Sequence, residues 1–383
     1  MHELFAGLGD PGRDLLDACH RLSAFAAPAG NEDRLIAAVV EHLSARGLHP
    51  HVDRLGQIAV TFGEPRPGTP TVMLTAHLDE LGLIVRGIDP DGMLRVHRLG
   101  GMPERVLPGL RLVVHTAAGD LPAVVGLKAH HLTPPEDKYV ARPATDLYLD
   151  MGASSAAEVL AAGVRVGDPV TYAPAWDELP HGRFAGKSLD DRVGVAVVLA
   201  YIDRLATQTL PLQLVVAFTT QEEFHVRGTL ALVAKYAPDI VVNVDIAPAS
   251  DTPDLRGQGS VRLGAGPTMS RLSFHGRGTL GGLIPHPALV RSVEGAASAA
   301  GIEIQADAMV GVITDAAFVT MATAEGIAAI GLGIPVRYTH SPVEMAQLSD
   351  VVACSELIDA LVPRLAAVDL TRGASQIATG GLA

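Results

Sequence analysis

Apolar residues recur at two different periods along the chain, and the changes of period mark out the elements. Leu15, Leu16, Cys19 and Leu22, then Leu35, Ile36, Val39 and Leu43, fall at helical spacing, so helices are predicted over about 13–27 and 32–46. The turn Pro28-Ala29-Gly30-Asn31 separates them. His49 to Phe62 alternates as a hairpin around Leu55-Gly56, and Thr71 to Ala76 is a compact run expected to form a buried strand. From Leu83 to Tyr172 the texture shifts to short alternating runs (83–88, 94–97, 111–115, 121–125 and 170–172) between Gly- and Asp-rich turns. Within that stretch 154–162 reads as a helix. Mixed α/β patterning then resumes: helix 193–205, strand 212–218, helix 228–236, strand 240–244, helix 289–300, turn 311–315, strand 327–332, and helix 351–361 before Pro363. The interruption reads as a β-rich insertion into an α/β domain. No fixed-period repeat is visible, and the Gly-rich tail after Arg372 is expected to fray.

Composition narrows the class. A chain of 383 residues exceeds the usual size of one core, so two domains are expected. Aromatics are only 4%, while 40 Gly and 26 Pro favour small-residue packing with many turns. The formal charge of −13 argues against nucleic acid or an anionic membrane surface as the main partner, because both need a positive footprint. Cys19 and Cys354, the only cysteines, form no CxxC pattern, so neither a disulfide framework nor a thiolate metal site is indicated. Met1-His2-Glu3-Leu4-Phe5 lacks the basic start of a signal peptide, and no run approaches the roughly 18 apolar residues of a membrane span. A soluble cytoplasmic protein acting on small or peptide substrates is expected.

Candidate chemistry gathers where predicted strands end, the usual place for it in open α/β sheets. Thr219-Thr220-Gln221-Glu222-Glu223-Phe224 follows one strand, and two adjacent carboxylates there repel unless a cation lies near or one holds a proton. His77-Leu78-Asp79 follows another, a spacing that lets the acid fix the imidazole tautomer. Asp190-Asp191 precedes a helix, Asp245 ends a third strand, and His340 follows a fourth. Taken singly, each has an ordinary explanation as a solvated pair, a helix cap or a hydrogen-bonded histidine. Together, two His and three carboxylates (His77, Asp190, Glu223, Asp245, His340) suit a pair of divalent ions such as zinc.

Six motifs in order, Thr75-Ala76-His77-Leu78-Asp79-Glu80-Leu81-Gly82, Leu189-Asp190-Asp191-Arg192, Gln221-Glu222-Glu223, Val244-Asp245-Ile246-Ala247-Pro248, Thr314-Asp315-Ala316 and Arg337-Tyr338-Thr339-His340-Ser341-Pro342, resemble the M42 family of metallo-aminopeptidases. That family includes the glutamyl and deblocking aminopeptidases and the tetrahedral (TET) peptidases. The resemblance runs from about Leu15 to Leu365 and includes 127–131 and 147–152. It implies a zinc-peptidase-like α/β domain with a central mixed sheet flanked by helices (1–82 and 178–383), and an inserted β-rich, barrel- or PDZ-like domain (83–177) serving oligomerisation and substrate access.

It also implies His77 and Asp245 on one metal, Glu223 and His340 on the other, Asp190 bridging, Glu222 as general base and Asp79 as partner of His77. Two divalent ions, zinc or cobalt, would generate a bridging hydroxide that cleaves the amino-terminal residue of peptides. Homo-oligomers built from dimers, often dodecamers, are implied as well. Phe224-His225-Val226-Arg227-Gly228 and Gly311-Val312-Ile313-Thr314-Asp315 depart from the family pattern beside the base and before the Thr-Asp pair. Alternatives on the same scaffold are an amide hydrolase of N-acyl amino acids or a small peptide-like metabolite, a cellulase, and an inert oligomeric scaffold. His130 and His131 read as surface residues, with reach into a neighbouring active site as the alternative, His275 and His286 have no nameable partner, and Gly276-Arg277-Gly278 lacks the context of a phosphate loop.

Overall fold

The computed structural model describes residues 4–5, 9–205, 208–276 and 281–372. The tail after Arg372, the first three residues and the Arg277-Gly278 window lie outside the described residues. A twelve-stranded mixed sheet runs in the order His51–Val52, Ile58–Phe62, Leu214–Thr219, Val72–His77, Ile240–Pro248, Ala328–Arg337, Glu344–Gln347, Arg183–Gly186, Trp176–Leu179. Thr268–His275 joins Ala328–Arg337 at the side and carries Gly281–Leu283 and Gln305–Val310. The four central strands, from Leu214–Thr219 to Ala328–Arg337, are parallel. Six further strands between Gly82 and Tyr172 close into a barrel with its own core around Leu83, Val96, Val114 and Leu149.

The central strands are largely apolar and buried along nearly their whole length because both faces of the sheet are covered. Val72 and Leu74 pack with Val216 and Val242 against helices Pro11–Ser23, Leu189–Leu205, Pro287–Ala300 and Leu348–Leu361. The alternate positions Met73, Val215 and Val241 face Thr229–Tyr236 and Ala316–Val319 on the other side. Leu189–Leu205 is buried along nearly its whole length, which explains why its sequence shows so little amphipathic contrast.

Several elements differ from the sequence expectation. The first helix spans Pro11–Ser23, started by the Asp10 side chain accepting from Gly12 N and Arg13 N. Strand Ile240–Pro248 continues through Asp245, which therefore sits inside a strand, held there by full-length parallel pairing with Ala328–Arg337. Strands Thr268–His275, Gly281–Leu283 and Gln305–Val310 were unforeseen; they are peripheral, and Gln305–Val310 carries a half-exposed pattern without a strong apolar run.

A buried ion cluster ties the segment after the opening helix to the sheet. Glu80 accepts from Lys187 Nζ at 2.6 Å and from Ala27 N at 2.9 Å, and Ser188 Oγ shares its carboxylate. Lys187 Nζ also donates to the Phe25 carbonyl, and Arg192 donates to the carbonyl of Leu78. The Arg192 guanidinium lies 3.8 Å from Glu80. Lys187→Met, which leaves Glu80 only that more distant cation, is expected to reduce unfolding free energy by about 3 kcal/mol or more, read from urea denaturation. The double variant Lys187→Met with Glu80→Gln should recover part of the loss; an unmoved single variant would show that the cluster does not hold this junction.

Candidate active site

Parallel pairing brings the chemistry together. Thr219 is level with His77, and Asn243 is level with Thr75, so the turn after Thr219, the end of Val72–His77 and Asp245 open on one edge of the sheet. Asp190 and Asp191 arrive from the buried start of Leu189–Leu205, and His340 from the loop after Ala328–Arg337.

Two groups of possible metal ligands result. In one, donor atoms of His77, Asp191 and Asp245 lie within 4.8 Å of one another; in the other, those of Asp190, Glu223 and His340 do. Asp190 links the groups: its Oδ1 is 3.1 Å from His77 Nε2 and its Oδ2 is 3.4 Å from His340 Nε2. Asp245 Oδ1 stands 3.9 Å from His77 Nε2, and Glu223 Oε1 stands 3.8 Å from His340 Nε2. All five sequence-selected ligand positions therefore converge. Asp191 joins them, but its oxygens accept from His77 N at 3.3 Å and Gly194 N at 3.1 Å. Its carboxyl is engaged by backbone where that of Asp190 faces the imidazoles.

Asp79 is placed differently from the expectation. His77 Nδ1 lies 3.1 Å from the Asp79 carbonyl oxygen, whereas the nearest Asp79 carboxylate oxygen is 3.6 Å away. The carboxylate instead accepts from Glu222 N and Glu223 N, each at 2.9 Å, and so shapes the turn that presents both acids. That turn begins at Gln221, which holds a positive φ of 59° and donates its N–H to Glu32. Glu222 and Glu223 thus leave the strand in a turn rather than alternating along an extended backbone.

Sequence reasoning missed Glu344. Its Oε1 accepts from His340 N at 2.6 Å and its Oε2 from Asp190 N at 3.0 Å, so one buried acid fixes the backbone of two candidate ligands. Its spacing of four residues after His340 was the available signal. The barrel contributes too: the Gly101 carbonyl is 3.3 Å from His340 Nδ1, and Tyr172 Oη donates to the His340 carbonyl at 3.3 Å. His225 is exposed and Phe224 half-buried, with the Arg227 guanidinium 5.8 Å from the Phe224 ring centre. His130 and His131 are exposed on the barrel, and His286 caps Pro287–Ala300.

Electrostatics in the site follow from burial and like charge. Burial first, then the Asp190 charge, pushes Glu223 up to about 8; burial with the net effect of its charged neighbours brings Asp245 to about 7. Burial also raises Glu222 well above the usual carboxylate range. Asp190 is held below that range: burial opposes it, but hydrogen bonds to His340 and His77 outweigh the penalty. Burial works against a charged His340 as well, yet Glu223 and Asp190 lift it to about 10. Glu223 Oε1 is buried without a hydrogen-bond partner. The acids outnumber the imidazoles, and the set fits hard or borderline divalent cations bound through oxygen and nitrogen.

By its likeness to known proteins, this α/β architecture, with its acids and imidazoles at parallel strand ends, falls among hydrolases of the aminopeptidase class. The chain is similar to SgcX of Escherichia coli (strain K12), 35% identical over 89% of this chain and 91% of that one. It is similar also to the lysyl aminopeptidase of Pyrococcus furiosus, 31% identical over 86% of this chain and 94% of the other. Among solved structures, an aminopeptidase from the archaeon Desulfurococcus kamchatkensis superposes with a TM-score of 0.85 at 32% identity, over 92% of this chain and 96% of that one. The TET1 peptidase of Pyrococcus horikoshii, which can assemble into a tetrahedron or a large octahedral shell, superposes with a TM-score of 0.80 at 29% identity, over 91% and 99%. The profile of the M42 glutamyl aminopeptidases matches residues 56–357, and the chain belongs to that metal-dependent family. No helix among the described residues is long and apolar enough to cross a membrane.

Protons and cations compete for these groups. With His340 at about 10 and Glu223 at about 8, both are mainly protonated at pH 7, so loading the site with zinc at that pH is expected to release protons. Affinity should rise as pH rises from about 6 toward 9. Calorimetric titration in buffers of different ionisation enthalpy measures the release; no buffer dependence would contradict this picture.

Proposed function

We propose that the chain removes the amino-terminal residue of peptides at a centre of two divalent cations, zinc in the first instance. His77 and Asp245 would hold one, Glu223 and His340 the other, and Asp190 would be shared. The observation that carries this reading is Asp190, whose two oxygens are divided between His77 Nε2 and His340 Nε2 at 3.1 and 3.4 Å. The orphaned, buried Glu223 Oε1 and the raised carboxyls beside it fit a neighbouring divalent cation. When bound, the cations supply Lewis acidity that activates water and polarises the peptide carbonyl.

The side chains do the remaining work. Glu222, fixed through its backbone N–H by Asp79, takes a proton from water and later delivers it to the leaving amine. Its buried setting raises its proton affinity toward the working pH, as a general base requires. With a cation bound, His77 would donate from Nδ1 to the Asp79 carbonyl and leave the Nε2 lone pair for that cation. Glu344 holds Asp190 and His340 in a fixed relation.

In this reading 1–82 and 178–383 form the catalytic domain, and 83–177 is an inserted domain that backs the site through Gly101 and Tyr172. The inserted domain also exposes Leu132 and Tyr139, and in this reading the chain assembles through it into a dimer-based homo-oligomer such as a dodecamer.

Glu222→Gln should keep metal content near wild type by mass spectrometry while turnover of aminoacyl anilides falls by about a hundredfold to ten-thousandfold. Chelation should abolish wild-type turnover and zinc should restore it. Full turnover in Glu222→Gln would remove the base assignment, and preferential cleavage of N-acylated amino acids would replace the aminopeptidase reading.

A further inference from the structure

A second cleft borders the site. It runs from Asp245 past Ser270 and Ser273 to Asp307, with Met309 and Val312 in its wall. Strands Thr268–His275 and Gln305–Val310 build it, pairing in parallel with Ser270 level with Asp307. Alternation along Gln305–Val310 turns Asp307 and Met309 inward and leaves Ala306, Ala308 and Val310 exposed.

The polar groups in this cleft lack protein partners. The Asp307 side chain makes no hydrogen bond or ion pair among the described residues, and burial pushes its carboxyl up to about 6. Ser270 Oγ and Ser273 Oγ are buried without a hydrogen-bond partner, and Ser273 is only 7% exposed. An unpaired acid and two idle hydroxyls are costly when dehydrated, unless a ligand completes them. Met309 and Val312 give the wall an apolar surface that methylene groups can cover.

An extended cationic side chain reaching into this narrow cleft would answer these groups: its methylenes would lie against Met309 and Val312, its charge would face Asp307, and its N–H groups would donate to the serine oxygens. An acidic side chain meets like charge instead, and an aliphatic one leaves Asp307 dehydrated and unpaired. Resting on the cleavage of amino-terminal residues proposed above, we infer that Asp307 is a specificity-determining residue that selects peptides beginning with lysine or arginine.

The test compares kcat/KM for lysyl, leucyl and glutamyl para-nitroanilides in wild type, Asp307→Asn and Asp307→Lys, alongside calorimetric titration with free L-lysine and L-leucine. Wild type should favour the lysyl substrate. Asp307→Asn should lower the lysyl-to-leucyl ratio by about tenfold to a hundredfold, mainly through KM, and weaken L-lysine binding by a similar factor. Asp307→Lys should move preference toward the glutamyl substrate. A wild-type preference for leucyl or glutamyl anilide, or a ratio unmoved in Asp307→Asn, would overturn the assignment. Failure of every protein to cleave any anilide would count against the aminopeptidase reading alone. In that case L-lysine bound more tightly than L-leucine, with the difference lost in Asp307→Asn, would uphold the cleft, and equal binding would end it.

Discussion

The rest of the molecule is arranged to force several carboxylates and two imidazoles into a space with little water. Two like charges 4 Å apart repel by about 4 kcal/mol at the effective dielectric near a protein surface, and burial adds a desolvation cost for each. Asp190, Glu222, Glu223 and Asp245 accept those terms together. A sheet covered on both faces makes this tolerable, because its apolar core supplies stability that the polar edge consumes. The proposed cation pair answers the same problem from the other side by bringing positive charge to the acids.

Backbone amides rather than side chains do most of the positioning. Asp79 accepts from two successive N–H groups of the Glu222–Glu223 turn, Glu344 from those of Asp190 and His340, and Glu32 from Gln221. The same segments carry unusual backbone: Ser188, Gln221, Tyr338 and His340 all have positive φ without being glycine. Each such residue costs of order 1–3 kcal/mol and persists where surrounding contacts over-determine it. Acids that anchor amides are those surroundings here. Glu80 extends the scheme one layer deeper, gripping Lys187 and Ser188 immediately before Asp190.

Much of this was legible in the sequence. Continuous apolar runs at 71–76, 212–218 and 240–244 announced strands covered on both faces, and acids or histidines after them announced where the polar edge would lie. Convergence of His77, Asp190, Glu223, Asp245 and His340 rested on the resemblance, because register and strand order are nonlocal. Glu344 was missed and Glu80 was given no role for a related reason: what an acid holds through backbone amides depends on nonlocal contacts, and the four-residue spacing of Glu344 from His340 was only a local hint. Asp79 shows the converse, since a His-x-Asp spacing invites an imidazole–carboxylate pair while the carboxylate here serves the neighbouring turn. Gln305–Val310 hid because it alternates weakly at the side of the sheet.

The Gly101 carbonyl and the Tyr172 hydroxyl press on His340 from the barrel, and a methyl group on Gly101 would come within 2.9 Å of that imidazole. The insertion is thus wired into the reactive edge and is no detachable accessory. Excising it, or grafting an unrelated module between Gly82 and Trp176, would strip one imidazole of its backstops even if the sheet folded unaltered. Chimeras in this family would have to transplant those two supports along with the scaffold they stand on.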